Sequence, residues 1–404
     1  MPMKVTKKKS VAIIGGGPAA FMLAATLDET LFDVTIYEKN NAVGRKFLVA
    51  GDGGFNLTHS EAQEAFISRY TPAAFFQPLI SSFNNNDLRE WLKNIGIDTY
   101  VGTSRRVFPV KGIKPIEVLN AILVELKRKN VIIKTNHAWK GWKNEALTFE
   151  TSNAVLDVNA DVAVFALGGS SWKVTGSDGS WTTYFSEKGI QIIPFRASNC
   201  AYEIKWGDDL LKAAEGQSLK NIIVSCDSKE KAGELVITKF GLEGGAIYAL
   251  GPQIREQLSG KGRAEIFVDL KPQLEVNQIE DKFRARGNRS IKKLLEDRLS
   301  FTNVHVELLK AMLSKDEFTD PEVLARKIKR LPLAITASAP IDEAISTVGG
   351  ISLNEIAPDF QLKKMPGTYC IGEMLDWDAP TGGYLLQGCL SMGNYVGKKL
   401  NEIS

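Results

Sequence analysis

The chain has 404 residues, 44% of them apolar and 24% charged, with 50 Lys and Arg against 47 Asp and Glu. That length exceeds what a single hydrophobic core serves, roughly 250–300 residues, so two or three domains are expected. The near balance of charge does not mark a dedicated nucleic-acid binder, though it leaves room for a local basic patch; four scattered cysteines (Cys200, Cys226, Cys370, Cys389) and three dispersed histidines (His59, His137, His305) give neither a disulfide framework nor a metal cluster.

The N-terminus imitates a secretion signal, with Lys7-Lys8-Lys9 ahead of an apolar run from Val11 to Ile14. The run stops too early at Gly15, and no stretch approaches the roughly 18 apolar residues of a membrane span. A cytoplasmic protein with reduced thiols and no membrane partner is expected. Residues 10–14 read instead as a short buried strand. It enters Gly15-Gly16-Gly17-Pro18-Ala19-Ala20, which fits GxGxxA at Gly15, Gly17 and Ala20. Residues 21–27 read as a helix and residues 34–37 as a second strand ending in Glu38-Lys39.

This order is what a dinucleotide site requires. Gly15 permits the tight turn, Gly17 lets the backbone approach a pyrophosphate, and Ala20 lets helix and strand pack closely. The helix N-terminus offers N–H donors to phosphate, and Glu38 can accept from ribose hydroxyls. At this point FAD and NAD(P) remain equally open.

Further along, Gly44, Arg45 and Lys46 precede a glycine-dense run containing Gly51, Gly53, Gly54 and Asn56. Such density suggests backbone pressed against a ligand, with Arg45 and Lys46 placed to offset phosphate charge. His137 and Ala138 are further candidate cofactor contacts. Residues 162–165 read as an apolar strand running into Ala166, Gly168 and Gly169. Near the C-terminus a strand ends in Gly372-Glu373, and Gly382-Gly383-Tyr384 opens a helix over residues 385–399. Glu373 suits the ribityl hydroxyls of a flavin, and a glycine-opened helix end suits the charge on a reduced flavin ring. Tyr384 is a candidate proton donor or a cofactor-packing residue.

Between residues 194 and 331 the character changes. Residues 194–272 are strand-rich, as at 222–225 and 264–269, and residues 273–331 are helical, clearest at 292–299. Arg284, Arg286, Arg289, Lys292, Lys293 and Arg298 cluster there, either as a solvated helix face or as a site for RNA or another polyanion.

Taken together, Ile13 to Ala20, Gly44-Arg45-Lys46, the run from Gly51 to Thr58, Ala166 to Gly169, Gly372 to Asp376 and Pro380 to Gln387 resemble the BaiN/YhiN-type bacterial flavoproteins, FAD-dependent oxidoreductases also called aminoacetone-oxidase-like. The resemblance covers most of the chain. It implies an α/β fold: a Rossmann-like FAD-binding domain (1–193 and 332–404) interrupted by a β-barrel-like insertion with a small helical subdomain (194–331). It also implies FAD as cofactor, NADH or NADPH as electron donor and a small-molecule acceptor, first of all an activated C=C bond. The alternatives it carries are uracil reduction in RNA and oxidation of an amine by O₂. Two segments depart from the family pattern. Gly54 and Phe55 stand where the family has Arg and Cys, and Lys239 to Gly245 departs from the pattern His-x-Gly-Leu-Ser-Gly-Pro. Roles tied to those residues do not carry over.

Overall fold

A parallel sheet organises the first part of the chain, its inner strands carrying the apolar runs at residues 11–14 and 162–165 that strands covered on both faces need. In the computed structural model, which describes residues 7–49, 55–284 and 289–403, the chain divides into two compact units, 1–196 with 345–404 and 197–344.

The first unit is built on five parallel strands: β1 (Lys9–Ile14), β2 (Phe32–Tyr37), β3 (Ile132–Lys134), β4 (Val162–Phe165) and β5 (Thr368–Cys370). Their spatial order is β5-β4-β1-β2-β3, with β1 central. Val11, Ala12, Ile13 and Ile14 are at most 2% exposed, which makes β1 the floor of the core. Helix α1 (Pro18–Thr26) links β1 to β2, starting with Pro18 in the first turn, where its missing N–H costs nothing.

The C-terminal helix α2 (Tyr384–Glu402) lies against α1. Glycines make this approach possible. A β-carbon on Gly393 would stand 2.3 Å from the Ala19 carbonyl oxygen, and one on Gly397 would stand 2.7 Å from the Thr26 β-carbon. The two ends of the chain are thereby packed into one core. Two three-stranded antiparallel sheets belong to the same unit, at residues 58–59, 99–101 and 106–109 and at residues 138–143, 146–150 and 155–158.

The second unit holds one seven-stranded antiparallel sheet. Its two outer members, Leu331–Ile335 and Ala337–Ser338, are successive stretches of a single segment. The sheet therefore closes on itself, which abolishes exposed edges and gives the barrel-like form expected. Helices Val276–Arg284, Ile291–Leu299, Asn303–Met312 and Pro321–Lys329 bury Ile279, Phe283, Leu294, Leu309 and Ile328 in this unit's own core. The chain leaves this unit after residue 344 rather than after residue 331, because both halves of the closing segment pair inside the sheet.

Candidate functional site

Each parallel strand delivers a loop to the same, carboxyl, edge of the sheet, and there the chain forms one cleft. It is lined by Gly15, Gly17, Pro18 and Ala19 after β1, by Glu38, Lys39 and Asn40 after β2, by His137 after β3, by Ala166 and Gly168 after β4, and by Gly372 and Glu373 after β5. Ligands bind at this edge in open α/β sheets because helix N-termini and loop backbones converge there.

The turn after β1 is fixed by close packing. Gly15 has φ +105°, and a β-carbon would sit 2.4 Å from the Ala166 carbonyl oxygen. Gly17, by contrast, has nothing within 4 Å of where its β-carbon would be, so open space faces it. It is also the N-cap of α1 and makes no side-chain cap bond, leaving the Ala19 and Ala20 N–H groups without intrahelical partners.

Glu38 accepts the Gly16 N–H at 2.9 Å through one oxygen, and the Asn40 N–H at 2.9 Å and amide at 2.7 Å through the other. The oxygen facing Gly16 keeps a lone pair for a hydroxyl. Lys46 bridges the cleft, donating to Glu373 at 3.1 Å and to Ser171 at 2.9 Å. Arg45 donates to the Asn40 side chain at 3.1 Å.

Two observations fit this cleft to FAD. The Ser177 hydroxyl and the Trp139 indole N–H are buried on residues that line it and have no hydrogen-bond partner among the described residues. A buried polar group left unpaired is costly, so such groups point to a ligand or an ordered water. The open space before Gly17 lies where a pyrophosphate would meet the helix end.

Of the residues singled out from sequence, the cleft brings together Gly15, Gly17, Pro18, Ala19, Glu38, Lys39, Gly44, Arg45, Lys46, His137, Ala166, Gly168, Gly372 and Glu373. Ala20, Asn56, Ala138, Gly169, Gly382, Gly383 and Tyr384 do not line it. Gly51, Gly53 and Gly54 lie outside the described residues. Ala20 is fully buried, in the helix–sheet packing. Gly169 abuts Thr347, whose hydroxyl would stand 2.1 Å from a β-carbon, and Ala138 opens a strand of the 138–158 sheet. Gly383 packs on Thr58, so closely that a β-carbon on it would stand 2.5 Å from the Thr58 α-carbon.

Tyr384 is drawn the other way, into an aromatic cluster. Its ring stacks on His59 at 5.3 Å and lies 4.8 Å from Phe66, and its carbonyl accepts from the Tyr70 hydroxyl at 2.8 Å. Its own hydroxyl donates to Glu61, which also holds Arg69 through two bonds of 2.9 Å. Burial opposes the Glu61 charge, but hydrogen bonds from Arg69 and Tyr384 outweigh it and bring the carboxyl down to about 2. Burial, then the Glu61 carboxylate, pushes the Tyr384 phenol well above its usual range.

The sequence reading missed Asn40, Thr175, Ser177, Asp178, Trp181, Tyr184 and Cys389, all on the cleft. The signal for most of them was the long Gly- and Ser-rich stretch that follows β4 at the ligand-binding edge. Cys389 is buried, and burial raises its thiol, so it stands as an un-ionised neighbour of the site.

Comparison with known proteins places this geometry. The chain is 25% identical over 416 residues to the 3-dehydro-bile acid delta(4,6)-reductase of Clostridium scindens, covering 97% of this chain and 99% of that one. It is 24% identical to the ribosomal RNA dihydrouridine synthase of Haemophilus influenzae, covering 93% and 94%. Among solved structures, the 3-ketosteroid-delta4-(5alpha)-dehydrogenase of Rhodococcus jostii RHA1 superposes with a TM-score of 0.51 at 12% identity, covering 98% of each chain, a likeness of fold. The model of the HI0933-like protein Rossmann domain matches residues 9–399, so the chain belongs to that family, and it is an oxidoreductase of the flavoprotein class.

Proposed function

We propose that the protein binds FAD in this cleft and uses NADH or NADPH to reduce an activated C=C bond of a small molecule. The observation that carries the reading is the cleft itself, with an uncapped helix N-terminus, open space at Gly17 and the Glu38 carboxylate ranged along one sheet edge. The α1 N–H groups would take the pyrophosphate, Glu38 the adenosine ribose, and Glu373, oriented by Lys46, the ribityl chain. FAD bound there would supply two-electron redox chemistry between the nicotinamide donor and the acceptor. The protein's part is to orient the cofactor and hold charge at fixed positions. Lys46 and Arg45 place two cations on the cleft wall, and Gly15 holds the turn that sets the helix end against it. A relative named as a delta(4,6)-reductase supports C=C reduction as the reaction class.

The RNA alternative draws on a relative named as a ribosomal RNA enzyme. The basic insertion does not favour it. Arg284 pairs with Asp281 at 2.9 Å, Lys293 with Asp297 at 3.5 Å and Lys292 with Glu296 at 3.9 Å, so these charges are spent along their own helices. Arg286 lies outside the described residues. Nothing in the cleft favours an O₂-dependent amine oxidation.

The test is anaerobic. Flavin bleaching by NADH or NADPH, followed by stoichiometric reoxidation with an enone, supports the reading. Bleaching by neither nucleotide removes the donor, and reoxidation only by O₂ removes the acceptor.

A further inference from the structure

Arg106 is a partly buried cation to which the fold gives no anion. It lies in the short strand Arg106–Pro109, opposite His59 of the 58–59 strand. Its guanidinium makes neither an ion pair nor a hydrogen bond among the described residues. Glu61, whose N–H the His59 ring accepts at 3.2 Å, is already spent on two bonds of 2.9 Å from Arg69 and one from the Tyr384 hydroxyl. Burial, against the pull of Glu61, lowers the His59 imidazole, so that ring is neutral at pH 7 and Arg106 is the uncommitted charge of the group. A charge drawn partly out of water without a counter-charge costs stability and returns none to the fold, which points to a partner from outside the chain.

The two glycines that open α2 lie against this guanidinium. A β-carbon on Gly382 would stand 3.5 Å from Arg106 Nε and 3.6 Å from the Tyr384 ring. Gly383 is the N-cap and makes no side-chain cap bond, so the first N–H groups of α2 have no intrahelical partners. Gly383 packs on the backbone of Thr58, whose hydroxyl is fully buried and also unpaired among the described residues. From Tyr384 the helix runs five residues, about 8 Å, to Cys389, which lines the cleft together with Gly372 and Glu373.

We propose that Arg106 holds the acceptor oxygen on which negative charge develops, and that the acceptor is accordingly a C=C bond conjugated to a carbonyl. The proposal rests on the FAD and C=C readings: an FAD with its ribityl chain at Glu373 brings its ring within reach of this corner. Two electrons and a proton delivered to the β-carbon push the π electrons onto the carbonyl oxygen, and a solvent proton taken up at the α-carbon completes the saturated product. The guanidinium fork meets the charge on that oxygen with fixed donors, and the α2 N-terminus adds its positive end. Tyr384 is not the donor, since its phenol is committed to Glu61. An unconjugated alkene places no charge on an oxygen and gains nothing from Arg106.

The experiment uses the holoprotein, its flavin reduced with stoichiometric dithionite and then mixed anaerobically with cyclohexenone. Arg106→Ala is expected to slow reoxidation roughly a hundred- to thousandfold, the range for removing one donor from a developing oxyanion. Arg106→Lys, which keeps the charge and loses the fork, should fall between the two. Guanidinium ion, added well below denaturing concentration, should restore part of the rate to Arg106→Ala, while the flavin midpoint potential and the melting temperature stay at their wild-type values. An unchanged rate in Arg106→Ala overturns the proposal. So does a loss of rate with a shifted midpoint potential, which would make Arg106 a contact of the flavin itself. A loss with a lower melting temperature and no rescue by guanidinium also overturns it, by making the role structural. A wild type that holds FAD but is not reoxidised by cyclohexenone overturns the C=C reading, and the role of Arg106 falls with it.

Discussion

Lys46 and Glu373 stand 327 positions apart in the chain and meet in an ion pair of 3.1 Å on the cleft wall. The contact joins the first and last segments of the same unit, and it gives Glu373 a fixed orientation. Replacing Glu373 with Ala would remove the charge-assisted bond proposed to the ribityl chain and release Lys46. FAD affinity should fall roughly ten- to a hundredfold, since such bonds contribute on the order of 1.5–3 kcal/mol. Titration of the variant with FAD checks this, and an unchanged Kd would remove Glu373 from the site.

Gly15 and Gly17 should fail in different ways. A β-carbon at Gly17 would meet no protein atom within 4 Å, so Gly17→Val should melt close to the wild type yet lose FAD, because the side chain enters the space proposed for the pyrophosphate. Gly15→Ala combines a positive φ with a 2.4 Å clash on the Ala166 carbonyl oxygen. It should destabilise the fold by at least about 1–2 kcal/mol whether or not FAD is present. Melting curves with and without FAD separate the two.

Tyr384→Phe should act on stability more than on redox chemistry. The phenol is buried and committed to Glu61, away from the cleft. Losing a hydrogen bond to a carboxylate costs about 1.5–3 kcal/mol. The variant should therefore melt lower while its flavin is reoxidised by the acceptor at the wild-type rate. A large loss in that rate at unchanged stability would make Tyr384 the proton donor.

The glycine turn was legible because its spacing is imposed locally: strand, turn and helix are consecutive, and Gly15 admits no side chain. Glu373 was legible for the same reason, closing a short apolar strand. Tyr384 was not, since what decides its direction is His59, Phe66 and Tyr70, more than 300 positions away, and no local pattern announces that cluster. Asp178 was invisible as a partner of Lys39 because the pairing exists only once β4 has been laid beside β1. The return point of the insertion was misplaced for a similar reason. Residues 331–338 look like the start of a new region, yet they close the barrel they follow.

His305 gives the second unit a pH dependence. Burial, with a smaller contribution from Lys271, brings its imidazole down from the ordinary 6.5 to about 4. The unfolded chain takes up the proton first as pH falls, so the stabilisation is complete above about pH 6.5 and is lost progressively toward pH 4. His305→Gln should flatten the fall in melting temperature between those values. An equal fall in variant and wild type would assign the dependence to other groups.

FAD in the cleft along the carboxyl edge of the parallel sheet is the premise of every role proposed for these residues. Its most direct measurement is the absorbance spectrum of the purified protein, with chromatography of whatever denaturation releases. The expected result is a flavin spectrum near one FAD per chain, released intact without proteolysis and lost in Gly17→Val. A colourless protein whose melting temperature does not move when FAD is added would contradict it.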